Sequence, residues 1–226
     1  EILGFAGLMG SGRTEAMRAV FGADRPDSGR IFLRGSRVPL RIRSPRDAVR
    51  NGIALLTEDR KEQGLLLPLS IRSNVTLPRM RPVSWFGTWI RRRAEAALAE
   101  RLVRSLSVRC RSVEQPALEL SGGNQQKVVI AKWLHRDCEV LIFDEPTRGI
   151  DVGARLEVHG LLAGLAAKGK AIIVVSSDLE EILAVCDRIA VLSAGRVAAT
   201  FLRGEASEDV ILAAALSGYT GHARAE

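Results

Sequence analysis

Two periodicities share this chain. Short apolar, β-branched runs at residues 2–5, 53–57, 140–143, 171–176 and 189–192 are bounded by turn residues, the pattern of strands buried on both faces. Between them lie longer stretches with helical spacing. The alternation predicts an α/β fold, a mostly parallel sheet with helices on both faces. Helix starts are marked as well: Ser44 before Pro45 and Asp47 combines a cap, a first-position proline and a capping-box acid, and Ser121 and Asp178 are good caps for the segments that follow.

The pattern changes between residues 64 and 119. Helical periodicity continues there, with prolines at 68, 78, 82 and 116 and no strong strand. We read a single domain, 1–226, with a core over 1–63 and 120–206, a helical insert over 64–119, and a closing helix at 207–217 leading into a Gly/Ala-rich tail expected to fray. Trp85, Phe86 and Trp89 in the insert predict a small satellite core beneath a loop.

Composition excludes more than it assigns. No apolar run reaches the roughly 18–20 residues of a membrane-spanning helix, so a membrane role is expected to come through a partner. Cys110, Cys138 and Cys186 are odd in number and widely spaced, which reads as free thiols in a reducing compartment. His135, His159 and His222 have no ligand at helical spacing and receive no metal. The net charge of +7 and pI of 10.0 are concentrated in residues 25–61 and 79–111, which suits nucleic acid or an anionic membrane surface equally well.

Gly7, Leu8, Met9, Gly10, Ser11, Gly12, Arg13 and Thr14 follow a predicted strand and open a predicted helix. Glycines at such a turn let backbone N–H groups face phosphate oxygens, and the helix N-terminus adds partial positive charge. Thr14 stands where a hydroxyl ligates magnesium. Farther on, the run 140–143 ends in Asp144 and Glu145. Carboxylates at the C-terminal end of a parallel strand suit a water-mediated magnesium ligand at Asp144 and a base for attacking water at Glu145.

Leu120, Ser121, Gly122, Gly123, Asn124 and Gln125 lie about twenty residues before that strand. With the phosphate loop and acidic strand in this order, the segment resembles the signature motif of the ABC ATPases. The resemblance covers about residues 1–205. It implies a P-loop ATPase fold of the ABC type, with ATP and Mg2+ as ligands and the signature serving the nucleotide held by an opposite domain. It also implies that Asp151 lies in a dimer loop and that Glu58 lies in the loop coupling the core to the helical insert, where transmembrane partners dock, within reach of the metal.

The sequence departs from the family pattern at four places. Arg13 replaces the usual lysine, Glu15 a hydroxyl residue near the α-phosphate, Glu58 a glutamine, and Ser177 the switch histidine. Arginine's planar fork is a poor substitute for an ammonium at a crowded phosphate. Serine hydrogen-bonds without carrying an imidazole's charge or reach. The signature, Asp144 and Glu145 keep the family residues.

This asymmetry, with Gly-Arg-Thr-Glu and Thr-Glu-Asp-Arg-Lys, resembles the C-terminal ATPase domain of tandem ATP-binding subunits in bacterial monosaccharide importers of the ribose, galactose and xylose type. The resemblance implies an N-terminal ATPase domain in the same polypeptide, transmembrane permease subunits, a periplasmic or extracellular sugar-binding protein, and a peripheral place on the cytoplasmic face of the inner membrane. It also implies a fragment of a chain about twice as long. Trp85, Phe86 and Trp89 are then alternatively expected to receive a cytoplasmic helix of the membrane subunit. Two other functions are set against this one. The first is a non-hydrolysing regulatory half. The second is a nucleic-acid-associated ABC ATPase, which the short insert without coiled-coil heptads counts against.

Overall fold

The computed structural model describes residues 1–33, 35–86 and 88–220; the expected fraying tail and His222 lie outside them. The chain forms two compact units, one of residues 1–55, 139–145 and 162–226, the other of 56–138 and 146–161.

The first unit is built around a six-stranded sheet in the order β2-β5-β6-β1-β7-β8, formed by β1 (Ile2–Gly7), β2 (Ile53–Leu56), β5 (Val140–Asp144), β6 (Ala171–Val175), β7 (Arg188–Ser193) and β8 (Arg196–Leu202). The pairs β5/β6, β6/β1 and β1/β7 are parallel, as unbroken apolar runs require when both faces are covered. β8 turns back antiparallel along β7. The sequence reading omitted it: its alternating residues are mostly exposed, so it lacks the buried-run signal of the others.

Helices α1 (Arg13–Phe21) and α2 (Pro45–Arg50) pack at the first unit's core, where Met17, Ala48, Ile53, Leu55, Ile142 and Val175 come together. Ser44 caps α2 as its sequence predicts, accepting from the Asp47 amide at 3.3 Å while Asp47 Oδ2 accepts from the Ser44 hydroxyl at 3.0 Å. α7 (Leu179–Val185) is capped by Asp178, which accepts from the Glu181 amide at 3.2 Å. α8 (Glu208–Thr220) closes the unit against β7 and β8.

The second unit is mainly helical: α3 (Ile71–Thr76), α4 (Arg92–Ser105), α5 (Gly122–Arg136) and the start of α6 (Val152–Ala167). α5 packs on α3 and α4. Glu95 of α4 is only 2% exposed and is held by the Thr76 hydroxyl at 2.7 Å and by Arg72. Asn74, equally buried, replaces missing ladder partners by accepting from the Leu66 amide at 2.7 Å and donating to the carbonyls of Leu66, Leu69 and Ser70. A single π-turn, Arg60–Gly64, and a short hairpin of β3 (Ser84–Trp85) and β4 (Trp89–Ile90) were not expected from sequence. Two-residue strands carry too little periodicity to be read.

The aromatic expectation is corrected here. Trp85, Phe86 and Trp89 are 62%, 101% and 76% exposed, so they form no satellite core. They sit on the hairpin and its turn, whose backbone pairing holds them outward. Cys138 and Cys186 are buried and Cys110 half-buried, and among the described residues none is in a disulfide; burial pushes the Cys186 thiol up to about 12. The His135 Nε2–H donates to the Arg79 carbonyl at 2.7 Å, and burial lowers its pKa. Among the described residues, no helix is long and apolar enough to cross a membrane.

Candidate functional site

In the first unit the predicted phosphate loop joins the end of β1 to α1. Gly7, Gly10 and Gly12 all have positive φ, at 152°, 78° and 95°. At Gly7 a Cβ would lie 2.4 Å from the Leu192 carbonyl and 2.7 Å from the Ser11 hydroxyl, so no side chain fits. A Cβ at Gly10 would meet no heavy atom within 4 Å: the backbone there is open to an approaching ligand. Met9 is 84% exposed, and Leu8 accepts from the Ser11 amide at 3.1 Å to close the turn. Among the described residues, the buried Ser11 hydroxyl has no hydrogen-bond partner. Among the described residues no side chain caps α1, so its first-turn amides lack a side-chain acceptor, and exposed Glu15 stands in that turn.

The acidic strand end comes to this loop. The Thr14 hydroxyl donates to Asp144 Oδ1 at 3.1 Å, bringing together two oxygens of the kind a hard divalent cation takes. The orphaned Ser11 hydroxyl, the open Gly10 backbone and this oxygen pair fit a magnesium-bound polyphosphate.

The positively charged side chain does not follow that plan. Arg13 is buried, and its guanidinium donates to the Ser176 carbonyl and lies 3.9 Å from Glu145 Oε1. Glu145 itself is occupied on both oxygens: the Ser177 amide donates to Oε1 at 2.8 Å and the Ser177 hydroxyl to Oε2 at 3.2 Å. Burial raises the Glu145 pKa above the usual carboxylate value, against the opposing pull of Ser177 and Arg13. Its backbone is also in the left-handed region, φ 50°, an uncommon place for a residue with a side chain.

The second unit holds the signature segment. Leu120 is buried and Ser121 stands at the N-cap of α5, but the serine does not cap in the way its sequence position suggests. Its hydroxyl accepts from the Asn124 side-chain amide at 2.8 Å instead, which leaves the first-turn backbone amides of α5 without a side-chain acceptor. Asn124 Oδ1 accepts from the Arg109 amide at 2.7 Å, and Gln125 is buried with its amide on the Ala117 carbonyl at 3.1 Å. Gly123 is forced by contact, since a Cβ there would meet Ala154 Cβ at 2.7 Å; at Gly122 the nearest atom, Arg60 Nη2 at 2.7 Å, ends a flexible side chain that can shift.

Beside these residues is a polar hollow of about 150 Å3, lined by Ser121, Asn124, Lys127, Asp151 and Glu157 among others. Asp151 accepts from the Ala154 amide at 2.9 Å and so caps α6. Lys127 and Glu157, which the sequence reading did not select, form a 2.5 Å ion pair, and Lys127 also donates to the Ser107 carbonyl at 3.1 Å. Lys127 stands four residues after Gly123 on the same face of α5, and that spacing was the available signal. Glu58 is paired with Arg148, and Arg60 donates to the carbonyls of Arg148 and Gly149 at 3.0 and 3.3 Å. The segment expected to act in coupling is thereby fastened to the loop that carries Asp151.

Residues 1–148 match the family model described as ABC transporter, nearly two thirds of the chain. The chain belongs to the ABC transporter family. Among curated relatives of this ABC protein, one of Burkholderia cenocepacia named for ribose/galactose/methyl galactoside import as ATP-binding protein 3 is 52% identical over 94% of the chain and 41% of its own length. A counterpart in Albidiferax ferrireducens is 50% identical over 95% of the chain and 42% of its own length. The chain thus spans about two fifths of the curated relatives it matches. A solved nucleotide-free ATP-binding cassette from an ABC transporter has a TM-score of 0.77 at 20% identity, covering 93% of this chain and 84% of that one, a likeness of fold.

Proposed function

We propose that this ABC protein is the ATP-binding domain of a bacterial sugar importer, acting beside a second ATPase domain in the same polypeptide. Its assigned place is the cytoplasmic face of the inner membrane, bound to permease subunits that receive sugar from a binding protein. The names of the relatives support the sugar-import reading, and the contrast between the two motif regions supports the division of labour.

The observation that carries this division is the placement of Arg13. Its charge is committed to the Ser176 carbonyl and to Glu145, so nucleotide phosphates at Gly7, Leu8, Met9, Gly10, Ser11, Gly12 and Thr14 would be held by backbone amides and hydroxyls with less cationic help. Glu15 adds a repelling charge. Thr14 and Asp144 are the residues to hold Mg2+, which when bound neutralises charge on the phosphates. Glu58, to which the family resemblance gives a reach to the metal, is ion-paired to Arg148.

Hydrolysis in this domain's own pocket needs Glu145 to accept a proton from water. Both of its oxygens already accept from Ser177, so attacking water competes for the remaining acceptor positions, and the longer bond, 3.2 Å from the hydroxyl, is the one more easily given up. That requirement supports slow turnover here. The signature has no such encumbrance: the α5 amides at Gly122 and Gly123 are positioned to donate to the γ-phosphate of a nucleotide bound by the companion domain. Asp151 is assigned to the same dimer contact.

In the full-length subunit, Ser121→Arg is expected to abolish most sugar-stimulated ATPase activity and Arg13→Ala to cost no more than a few-fold. Equal losses overturn the division. A second reading, a non-hydrolysing regulatory half, is favoured by the full engagement of Glu145 alone. Single-turnover assays with the companion pocket inactivated decide it: measurable product keeps the first reading, and none selects the second.

A further inference from the structure

The hairpin of β3 and β4 is a built element. Ser84 pairs with Ile90 and Trp85 with Trp89, the Thr88 amide donates to the Trp85 carbonyl at 3.1 Å, and the Arg91 amide donates to the carbonyl of buried Val83 at 2.8 Å. This frame holds Phe86, with φ 51°, fully outward, between Trp85 and Trp89. Ile90 is also 51% exposed. Four large apolar side chains within six residues therefore face outward at one tip, a cost that a surface normally avoids unless something covers it.

Charge identifies the cover. From residue 63 to 94 the chain has six arginines, at 72, 79, 81, 91, 92 and 93, and no aspartate or glutamate. Arg72 is tied to Glu95 and Glu114, but the other five are exposed and form no ion pair among the described residues. Arg91, Arg92 and Arg93 follow the hairpin directly and line, with Trp85, Phe86 and Trp89, an open hollow of about 990 Å3. A protein groove that bound this tip would need several carboxylates placed against the arginines. An anionic bilayer supplies the opposite charge over a whole plane, accepts tryptophan at headgroup depth, and admits a phenylalanine tip to the acyl boundary.

We propose that the 84–93 hairpin is a membrane-surface anchor, with Trp85, Phe86 and Trp89 entering the headgroup layer and Arg91, Arg92 and Arg93 contacting anionic lipid phosphates. The site is separate from either motif region and is independent of which pocket hydrolyses nucleotide.

The test is co-sedimentation of the full chain with phosphatidylcholine vesicles containing or lacking phosphatidylglycerol, alongside fluorescence of a Trp133→Phe variant, in which Trp85 and Trp89 are the remaining indoles. Binding to the anionic vesicles alone, weakened by salt and accompanied by a blue shift, is expected. Joint replacement of Trp85, Phe86 and Trp89 by Ala should weaken it roughly tenfold or more, and each Arg91→Gln, Arg92→Gln or Arg93→Gln roughly fivefold. These residues are exposed, so circular dichroism should be unchanged. No binding to anionic vesicles, or binding indifferent to the aromatic replacements, overturns the proposal. So does a photocrosslinker at position 85 in the assembled transporter that labels only a permease helix and no lipid.

Discussion

The chain uses one device twice, glycines ahead of a helix N-terminus, and finishes it differently each time. At α1 the nearby side-chain charges turn inward: Arg13 faces Glu145 and the Ser176 carbonyl, and Ser177 occupies both oxygens of that glutamate. At α5 the nearby charges are anchors behind the helix start. Lys127 binds Glu157 and the Ser107 carbonyl, Lys132 binds the Gly64 carbonyl at 2.5 Å, and the first-turn amides lack a side-chain cap. On the proposed division of labour, a glycine-rich helix start does not by itself define a working pocket. What defines it is where the surrounding charges are committed.

The sharpest way to break the comparison is at Gly123. Its Cβ position lies 2.7 Å from Ala154 Cβ, an atom that cannot swing aside, so Gly123→Val should displace the start of α5. ATPase activity of the full-length subunit is expected to fall about 100-fold, the scale of losing an oriented donor. A loss of only a few-fold would show that the amides of α5 are not aimed at a phosphate.

A second test asks whether Lys132 is an anchor. Burial lowers its pKa from 10.5 to about 8 in the folded chain. Between those values the unfolded chain binds more protons, so stability from this residue rises with pH and is lost as pH falls toward 8. Relative to Lys132→Met, the unmodified chain should gain about 2 kcal/mol between pH 8 and pH 10, read from denaturant midpoints at each pH. A difference that stays flat with pH would mean that the ammonium is solvated.

The smallest expected effect concerns Ser177. Ser177→Ala removes the 3.2 Å donor to Glu145 Oε2 and keeps the backbone amide. With the companion pocket inactivated, residual turnover should rise about threefold, on the scale of one net hydrogen bond. Its acid limb should move to higher pH, because the lost hydroxyl had been lowering the Glu145 pKa. A fall in turnover would show instead that Ser177 orients the water.

Much of the fold was legible because its strands are buried on both faces. The runs at 140–143 and 171–176 became β5 and β6 within a residue at each end, since uninterrupted apolar sequence has few other places to go. β8 was missed because an exposed edge strand resembles a loop, and the hairpin was missed because two-residue strands have no period. At the candidate site, residue types and order placed Thr14 beside Asp144, as observed. The sequence did not reveal where Arg13 points. A long side chain can reach a phosphate or a carboxylate from the same Cα, and only packing chooses. Ser121 taught the converse: a good cap residue was claimed by Asn124, a side chain one turn ahead.

Glu145 is the last residue of its stretch in the first compact unit, and Pro146 begins the return to the second. The backbone at Glu145 is left-handed there, φ 50°. The residue proposed as proton acceptor thus stands at one of the four places where the chain passes from one unit to the other. Pro146 fixes its own φ immediately after that carboxylate, which limits how far the backbone there can rearrange.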